Sequence, residues 1–327
     1  MTSLRWKPAR AAPPLAASEV HVWVAVLDAL PVGAYIGLLS PDEAARADRF
    51  HFARDRQRFV GARGLLRELL GCYVDVDPSA LLFAYGPRGK PYLAADSRPD
   101  RVRFNVSHSG GLALLAFARD RELGVDLELE RPVPEAESIA ERYFSPREGA
   151  ELGRLPAAER PRAFFRCWTR KEAFIKATGD GLSRPLDAFD VTLAPREPAR
   201  LLRVAGEPEE AARWWMEGLE PADGFAGALA VEGRPARLAC WKLDDSLERS
   251  YGPRRKGRQD HLQGGREPRG AVLDLARGAR ERARLAGRRQ ERPQGRVPGL
   301  DQGSLDRHAA AESAQADGCG GREVERS

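Results

Sequence analysis

The hydrophobic pattern of this chain ends at one place. From residue 18 to about 245, apolar residues recur at helix and strand spacing. After "ACWKLD" they give way to "YGPRRKGRQDHLQGGREPRG" and "GRRQERPQGRVPGLDQGS", rich in Arg, Gly, Gln and Pro. Such a segment cannot bury enough apolar surface to offset the entropy of ordering it. The fold must therefore be built before residue 246, and residues 246–327 are expected to form a basic, low-complexity, disordered tail. The formal net charge of +5 resides in that tail, because the first 245 residues are close to neutral. The high overall pI is therefore no argument that the folded part binds nucleic acid. The acids interspersed in the tail also argue against a strong nucleic-acid-binding arm.

The folded part reads as α+β. "VHVWVAVLD" (20–28) is strand-like, "SPDEAARADRF" (40–50) opens with a Ser cap and acids as a helix does, and "DRQRFVGARGLLRELLG" (55–71) is a stronger helix expected to stop near Gly71. "LLFAYGPRGKPYL" is a turn between apolar ends. "VRFNVSHSGG", "LALLAFARD" and "LGVDLELE" are successive strands. The second half repeats this order loosely. Helical segments run from 135 to 178, the strongest being "RAFFRCWTRKEAFIKATG", and strands follow at "FDVTLA", "RLLRVAG", "GFAGALAVEG" and "ARLACWKLD". The chain thus divides into similar α+β halves at 1–122 and 123–245. Cys72, Cys167, Cys240 and Cys319 form no C-x-x-C pair and read as free thiols of a reducing compartment. The N-terminal stretch lacks an apolar signal core, and "VHVWVAVLDAL" is too short to span a bilayer. These features favour a cytoplasmic protein.

Within "GVDLELE", strand periodicity sends Val125, Leu127 and Leu129 one way and Asp126, Glu128 and Glu130 the other. Neighbouring carboxylates repel, more so when buried. A solvated strand face would tolerate this; a shared divalent cation would make it favourable, and magnesium is commonly held by one or two carboxylates plus substrate phosphates. On the helix "FFRCWTRKEAFIKATGDG", Glu172 falls inside the apolar arc of Phe165, Trp168 and Ile175, with Lys176 at its edge and Arg166 and Arg170 opposite. An i,i+4 pair with Lys176 would explain the adjacency but not the inward direction. In "FNVSHSGG", Asn105 and Ser107 share one face and His108 arrives at the turn; Ser107 and His108 point opposite ways and are no hydrolase pair. Arg46, Arg49, Arg54, Arg56 and Arg58 cluster around the first major helix, and Lys90 projects from "GPRGKP". Together these groups suit a highly anionic ligand. There is no Walker or dinucleotide fingerprint and no zinc spacing.

"GPRGKP", "FNVSHSGG", "GVDLE" and "WTRKEAFIKATGDGL", in this order, resemble the 4′-phosphopantetheinyl transferases of the surfactin-synthetase-activating (Sfp-like) type. The two-part pattern is Gly124-Val125-Asp126-Leu127-Glu128, a gap of about forty residues, then Trp168-Thr169-Arg170-Lys171-Glu172-Ala173-Phe174-Ile175-Lys176. The resemblance covers roughly residues 18 to 245. It implies two similar α+β halves with the active site between them. It also implies magnesium-dependent transfer (manganese being an alternative) of 4′-phosphopantetheine from coenzyme A to a serine of an apo acyl, peptidyl or aryl carrier protein, releasing adenosine 3′,5′-bisphosphate. Asp126, Glu128 and Glu172 would hold the metal. His108, Lys90 and Lys176 would meet the phosphates, and Arg58 and Arg46 the 3′-phosphate and adenine end. Glu172, Lys176 and His108 would carry the chemistry, with Glu148 in support. A monomer acting without membrane is the expected state. A non-catalytic carrier-binding module on the same fold is the main alternative, followed by a magnesium-dependent anhydride hydrolase and a nucleic-acid-binding tail.

Overall fold

A computed structural model describes residues 4–9, 11–94 and 101–243. The tail at 246–327, with Cys319, lies outside the described residues. The elements run β1 (Lys7–Ala9), β2 (Glu19–Val26), α1 (Val32–Tyr35), α2 (Pro41–Asp48), α3 (Ala53–Val74), β3 (Phe83–Tyr85), β4 (Pro91–Leu93), β5 (Val102–Ser109), β6 (Leu112–Arg119) and β7 (Leu123–Leu129). They continue through α4 (Ala136–Tyr143), α5 (Pro146–Arg154), α6 (Arg160–Thr178), β8 (Phe189–Val191), β9 (Leu201–Val204), α7 (Glu210–Arg213), β10 (Trp214–Leu219), β11 (Phe225–Glu232) and β12 (Arg237–Leu243).

Two sheets lie back to back between two long helices. The five-stranded sheet has the order β1-β12-β2-β6-β5, and the three-stranded sheet the order β10-β11-β7. Alternation along the strands divides the apolar side chains among three layers. Trp23, Phe104, Leu115 and Phe117 pack against Leu65, Leu66 and Leu69 of α3. Val20, Val22, Leu114 and Ala116 meet Val125, Leu127, Leu229 and Val231 between the sheets. The outer face of the three-stranded sheet, with Ala226, Ala228 and Ala230, shares a cluster with Phe165, Ala173, Phe174 and Ala177 of α6. The mixed α+β class is as read from the sequence. No helix of the described residues is long and apolar enough to cross a membrane. Cys72, Cys167 and Cys240 are free thiols.

Several local features differ from the sequence reading. Gly71 does not stop α3, which continues to Val74 and ends at Asp75 in the left-handed conformation. The missing side chain at Gly71 instead makes room for Val76 O and the Pro78 ring. The strand β10, "WWMEGL", was not anticipated. On α6, Arg170 is buried, its Nη1 donating to Thr192 O at 2.6 Å and to Thr192 Oγ1 at 2.9 Å, and Arg166 Nε donates to Leu193 O at 3.0 Å. The face opposite the sheet is thus covered by the segment after α6 rather than by solvent. Finally, β12, beyond the 122/123 division, lies between β1 and β2, so the first half's sheet includes a strand from the end of the second.

Three glycines fix how these layers meet. Gly110 and Gly111, both at positive φ, form the two-residue turn between β5 and β6, which residues with side chains adopt only under strain. Gly124 has a different role. A Cβ there would collide with the Ala173 carbonyl oxygen and the Ala177 nitrogen, so α6 crosses β7 backbone to backbone at this point. Neither backbone can yield without moving its whole element. Gly124→Ala should therefore destabilise the protein by about 3 kcal/mol or more, at the upper end for overpacking. Gly149→Ala, in α5 with nothing within 4 Å of the new methyl, should instead be neutral or stabilising by up to about 1 kcal/mol. Urea unfolding of the two variants measures the contrast; equal midpoints would show that the crossing is not tight.

Candidate functional site

The strands β5 and β7 belong to different sheets and are edge strands of each. An edge strand presents unpaired N–H groups, and when buried these need partners. Here the side chains of β5 provide them. Val125 N donates to Asn105 Oδ1 at 2.9 Å, Leu127 N to Ser107 Oγ at 3.3 Å, and Leu129 N to Ser109 Oγ at 3.1 Å. The hydroxyls then donate onward: Ser107 Oγ to Asp126 Oδ1 and Ser109 Oγ to Glu128 Oε2, each at 3.0 Å. Asn105, Ser107 and Ser109 thus form a ladder at strand period that fastens the two sheets and orients both acids. No role was assigned to this set from the sequence, although its signal, Asn-x-Ser-x-Ser, is visible there.

Asp126 and Glu128 are buried, with 4% and 5% of their surface exposed. They project from the face of β7 that carries Gly124, toward α6. Because α6 crosses at Gly124, its last turns lie over the acids. Lys176 Nζ donates to Asp126 Oδ1 at 2.6 Å and to Ser107 Oγ at 3.0 Å. Desolvation opposes the Lys176 ammonium, but Asp126, then Glu172 and Glu128, outweigh it and its pKa is raised. Glu128 has no such partner. Burial first, then repulsion from Asp126, pushes its carboxyl up to about 8, against the Ser109 hydrogen bond and the charges of Lys176 and Arg131. Glu172, one turn before Lys176, is partly buried beside Trp168 and Ile175.

His108 lies at the end of β5, on the opposite face from Ser107 and exposed to solvent. Its pKa is lowered by desolvation from neighbouring protein atoms and by the positive charges of Lys176, Arg58 and Arg46, with Asp55 opposing. Three basic side chains, Lys176, Arg58 and Arg46, therefore lie near His108, and of these Lys176 also meets the acids. Arg58 is held by a two-point pair with Asp28, Nε to Oδ1 at 2.7 Å and Nη2 to Oδ2 at 2.6 Å, beside the Gly111 turn. Arg46 is exposed on α2, with its guanidinium 5.4 Å from the Phe59 ring centroid.

Two residues singled out from the sequence lie elsewhere. Lys90 is not among the groups around His108: its Nζ donates to Glu122 Oε2 at 2.7 Å, Ala177 O at 2.7 Å and Leu123 O at 3.2 Å. Glu148 is fully buried as a structural anion. Its carboxylate pairs with Lys171 Nζ at 2.7 Å, caps the start of α5 through Ser145 N at 2.8 Å, and accepts from Val191 N at 2.7 Å. Lys171 in turn donates to Leu186 O and Phe189 O at 2.7 and 2.6 Å. This pair organises the segment that covers α6 and leaves neither group for a ligand.

The three acids read as metal ligands do not converge on one point. Among the described residues, no group of three or more His, Cys, Asp and Glu side chains is close enough together to hold a metal ion. The β7 pair nevertheless suits a hard cation that draws its remaining ligands from a bound substrate. Asp126 Oδ2 is buried without a hydrogen-bond partner, an expensive state for a carboxylate oxygen unless a cation meets it.

Comparison with known proteins accounts for both halves. The profile described as "4′-phosphopantetheinyl transferase superfamily" matches residues 122–230, and that described as "4′-phosphopantetheinyl transferase, N-terminal" matches residues 32–119. The chain is 41% identical over 230 residues to the 4′-phosphopantetheinyl transferase HetI of Nostoc sp., covering 70% of this chain and 94% of that protein. It is 33% identical over 159 residues to the 4′-phosphopantetheinyl transferase Sfp of Bacillus subtilis, covering 49% and 68% respectively. The strand of paired acids, the helix that crosses it and the basic groups of the first half all fall inside these matches, and the chain belongs to the 4′-phosphopantetheinyl transferase superfamily.

Proposed function

We propose that the protein transfers 4′-phosphopantetheine from coenzyme A to a serine hydroxyl of an apo carrier protein and releases adenosine 3′,5′-bisphosphate. The observation that carries this reading is the buried pair Asp126 and Glu128, with Asp126 Oδ2 lacking a hydrogen bond, Lys176 on Asp126 Oδ1, and Arg58 and Arg46 close to His108 on the neighbouring strand. Acids beside bases in this way suit a polyanion such as a pyrophosphate.

Asp126 and Glu128 would hold a magnesium ion, with Glu172 as the third acid at the site. Bound there, the cation would supply positive charge at the pyrophosphate. The chain's own groups supply the rest. The Lys176 ammonium is kept protonated by its acidic neighbours and donates to phosphate oxygens as negative charge grows on the leaving group, a contribution that is large in a water-poor site. His108 adds a donor from the opposite face of β5. Its lowered pKa means that the anionic substrate must itself favour the imidazolium. The 3′-phosphate and adenine end would meet Arg58 and Arg46. The attacking serine must lose a proton, and Glu172 is the acid the helix presents for it.

The direct test is to incubate the protein with coenzyme A, magnesium and an apo carrier domain and to weigh the carrier. It should gain one phosphopantetheine group, lose that gain when a chelator is present, and recover it with magnesium or manganese. An unchanged carrier mass overturns the function, and full transfer under chelation overturns the metal assignment.

Glu172→Gln keeps the side-chain volume and removes the charge. Transfer should fall on the order of a hundredfold or more. The melting temperature without ligand should hold or rise, because a half-buried acid is itself costly. A normal initial rate in this variant would remove Glu172 from the chemistry.

Glu128 also gives a signed pH dependence. Its folded carboxyl releases a proton near 8, against an ordinary value of 4.5. Between those values the native state holds a proton that the unfolded chain has lost. The stability of metal-free protein should therefore fall as pH rises from about 4.5 to about 8, and Glu128→Gln should flatten the slope. Denaturant midpoints across that range measure it; a slope unaltered by the substitution would show that Glu128 ionises normally.

A further inference from the structure

The loop "GPRGKP" between β3 and β4 does not open toward the acids. It folds back onto the end of α6. Arg88 Nη1 donates to Asp180 O at 2.7 Å and to Asp180 Oδ1 at 3.2 Å, just past the helix. Lys90 reaches the helix itself. Ala177 O belongs to the last turn of α6, where carbonyls have no partner further along the helix. Lys90 Nζ donates to it, to Leu123 O at the start of β7, and to the Glu122 carboxylate. An ammonium has three donors, and all three are taken. It also places a positive charge at the negative end of the helix dipole.

The two elements joined in this way are the ones whose crossing sets the site. Leu123 adjoins Gly124, which the Ala173–Ala177 backbone touches, and Ala177 adjoins Lys176, whose Nζ meets Asp126 Oδ1. A small shift of the last turn of α6 along β7 would carry Lys176 off Asp126 and Ser107.

We propose that Lys90 is a positioning residue that clamps the end of α6 to the start of β7 and thereby holds Lys176 against Asp126, without touching the substrate. The effect on transfer rests on the function proposed above; the clamp itself does not. A lysine whose donors are shared between two backbone carbonyls and a carboxylate could reach a phosphate only by leaving those carbonyls unpaired, at the cost of a buried unsatisfied acceptor.

The test uses Lys90→Met, which keeps the aliphatic stem, alone and combined with Lys176→Met, assayed well below the melting temperature of each variant. In the wild-type background, Lys90→Met should lower kcat on the order of tenfold to a hundredfold, the penalty of a misplaced catalytic group, with KM for coenzyme A unchanged. In the Lys176→Met background it should change kcat by less than about twofold, because the group it positions is gone. A rise in KM with equal losses in both backgrounds would make Lys90 a substrate contact and overturn the proposal. A second measurement needs no turnover. Amine-directed acylation of unliganded protein, read peptide by peptide in a mass spectrometer, should modify Lys176 several-fold faster in Lys90→Met, since its amine is no longer seated against Asp126 Oδ1 and Ser107 Oγ and becomes accessible to the reagent. A lower melting temperature with unchanged Lys176 labelling would make Lys90 a purely structural tie and overturn the proposal. If wild-type protein transferred nothing to the carrier, the proposed function would fail while the labelling arm still decided the clamp.

Discussion

The structure depends on a joint between two sheets that share no backbone hydrogen bond along it. β5 and β7 meet edge to edge, and Asn105, Ser107 and Ser109 stand where a strand's carbonyls would be. A backbone ladder there would have merged the sheets into one surface. Side chains as acceptors leave each sheet its own twist, so the two can stack on the layer of Val20, Val22, Leu114, Val125, Leu127 and Leu229. They also add what a carbonyl lacks, a hydroxyl proton to donate. Those protons go to Asp126 and Glu128. The bonds that close the fold therefore also aim the acids, so the site cannot be perturbed at Ser107 or Ser109 without loosening the joint.

The second constraint comes from α6, which is packed on its sheet side and covered on the opposite one. Its sheet-facing side is made close-fitting by Gly124 and by Ala226, Ala228 and Ala230. Its other side is held by polar groups directed at the backbone of the following segment: Arg166 on Leu193 O, Arg170 on Thr192, and Lys171 on Leu186 O and Phe189 O. Lys171 and Glu148 are each fully buried. Such a pair adds little net stability over apolar packing, yet it strongly penalises any arrangement that separates the charges. The helix that carries Glu172 and Lys176 is thereby given one seat.

How much of this was legible beforehand follows from the range of each signal. Period two placed Asp126 and Glu128 on one face of a strand, and the helical wheel placed Glu172 among Trp168, Phe165 and Ile175; both are local patterns. The α+β class followed from the order of such segments. The phosphate contact for Lys90 is what the family resemblance implies, and a turn rich in glycine and basic residues carries no sign of what it folds against; its partner Ala177 is 87 residues away. The helical wheel sets Arg170 on an outer face because it counts charge as exposure and cannot foresee that residues 192–197 return over the helix. β10 escaped notice because its buried positions, Met216 and Leu219, are three apart, as on an edge strand with only part of its length covered. Ser109 was passed over because its function needs a strand from the other sheet, which no local pattern contains.

The place of β12 bears on how the chain comes off the ribosome. β12 runs parallel between β1 and β2, so from the completion of β6 until β12 is made, β2 has β6 on one side and no neighbour on the other. An uncapped strand bearing Val20, Val22 and Trp23 is an invitation to another chain's edge, and it waits until residue 243 has been made. The N-terminal half is thus a provisional structure during translation. Its sheet closes only when the last strand threads back into it, and a nascent chain stalled in β11 would already have its paired acids while its first sheet still lacked an inner strand.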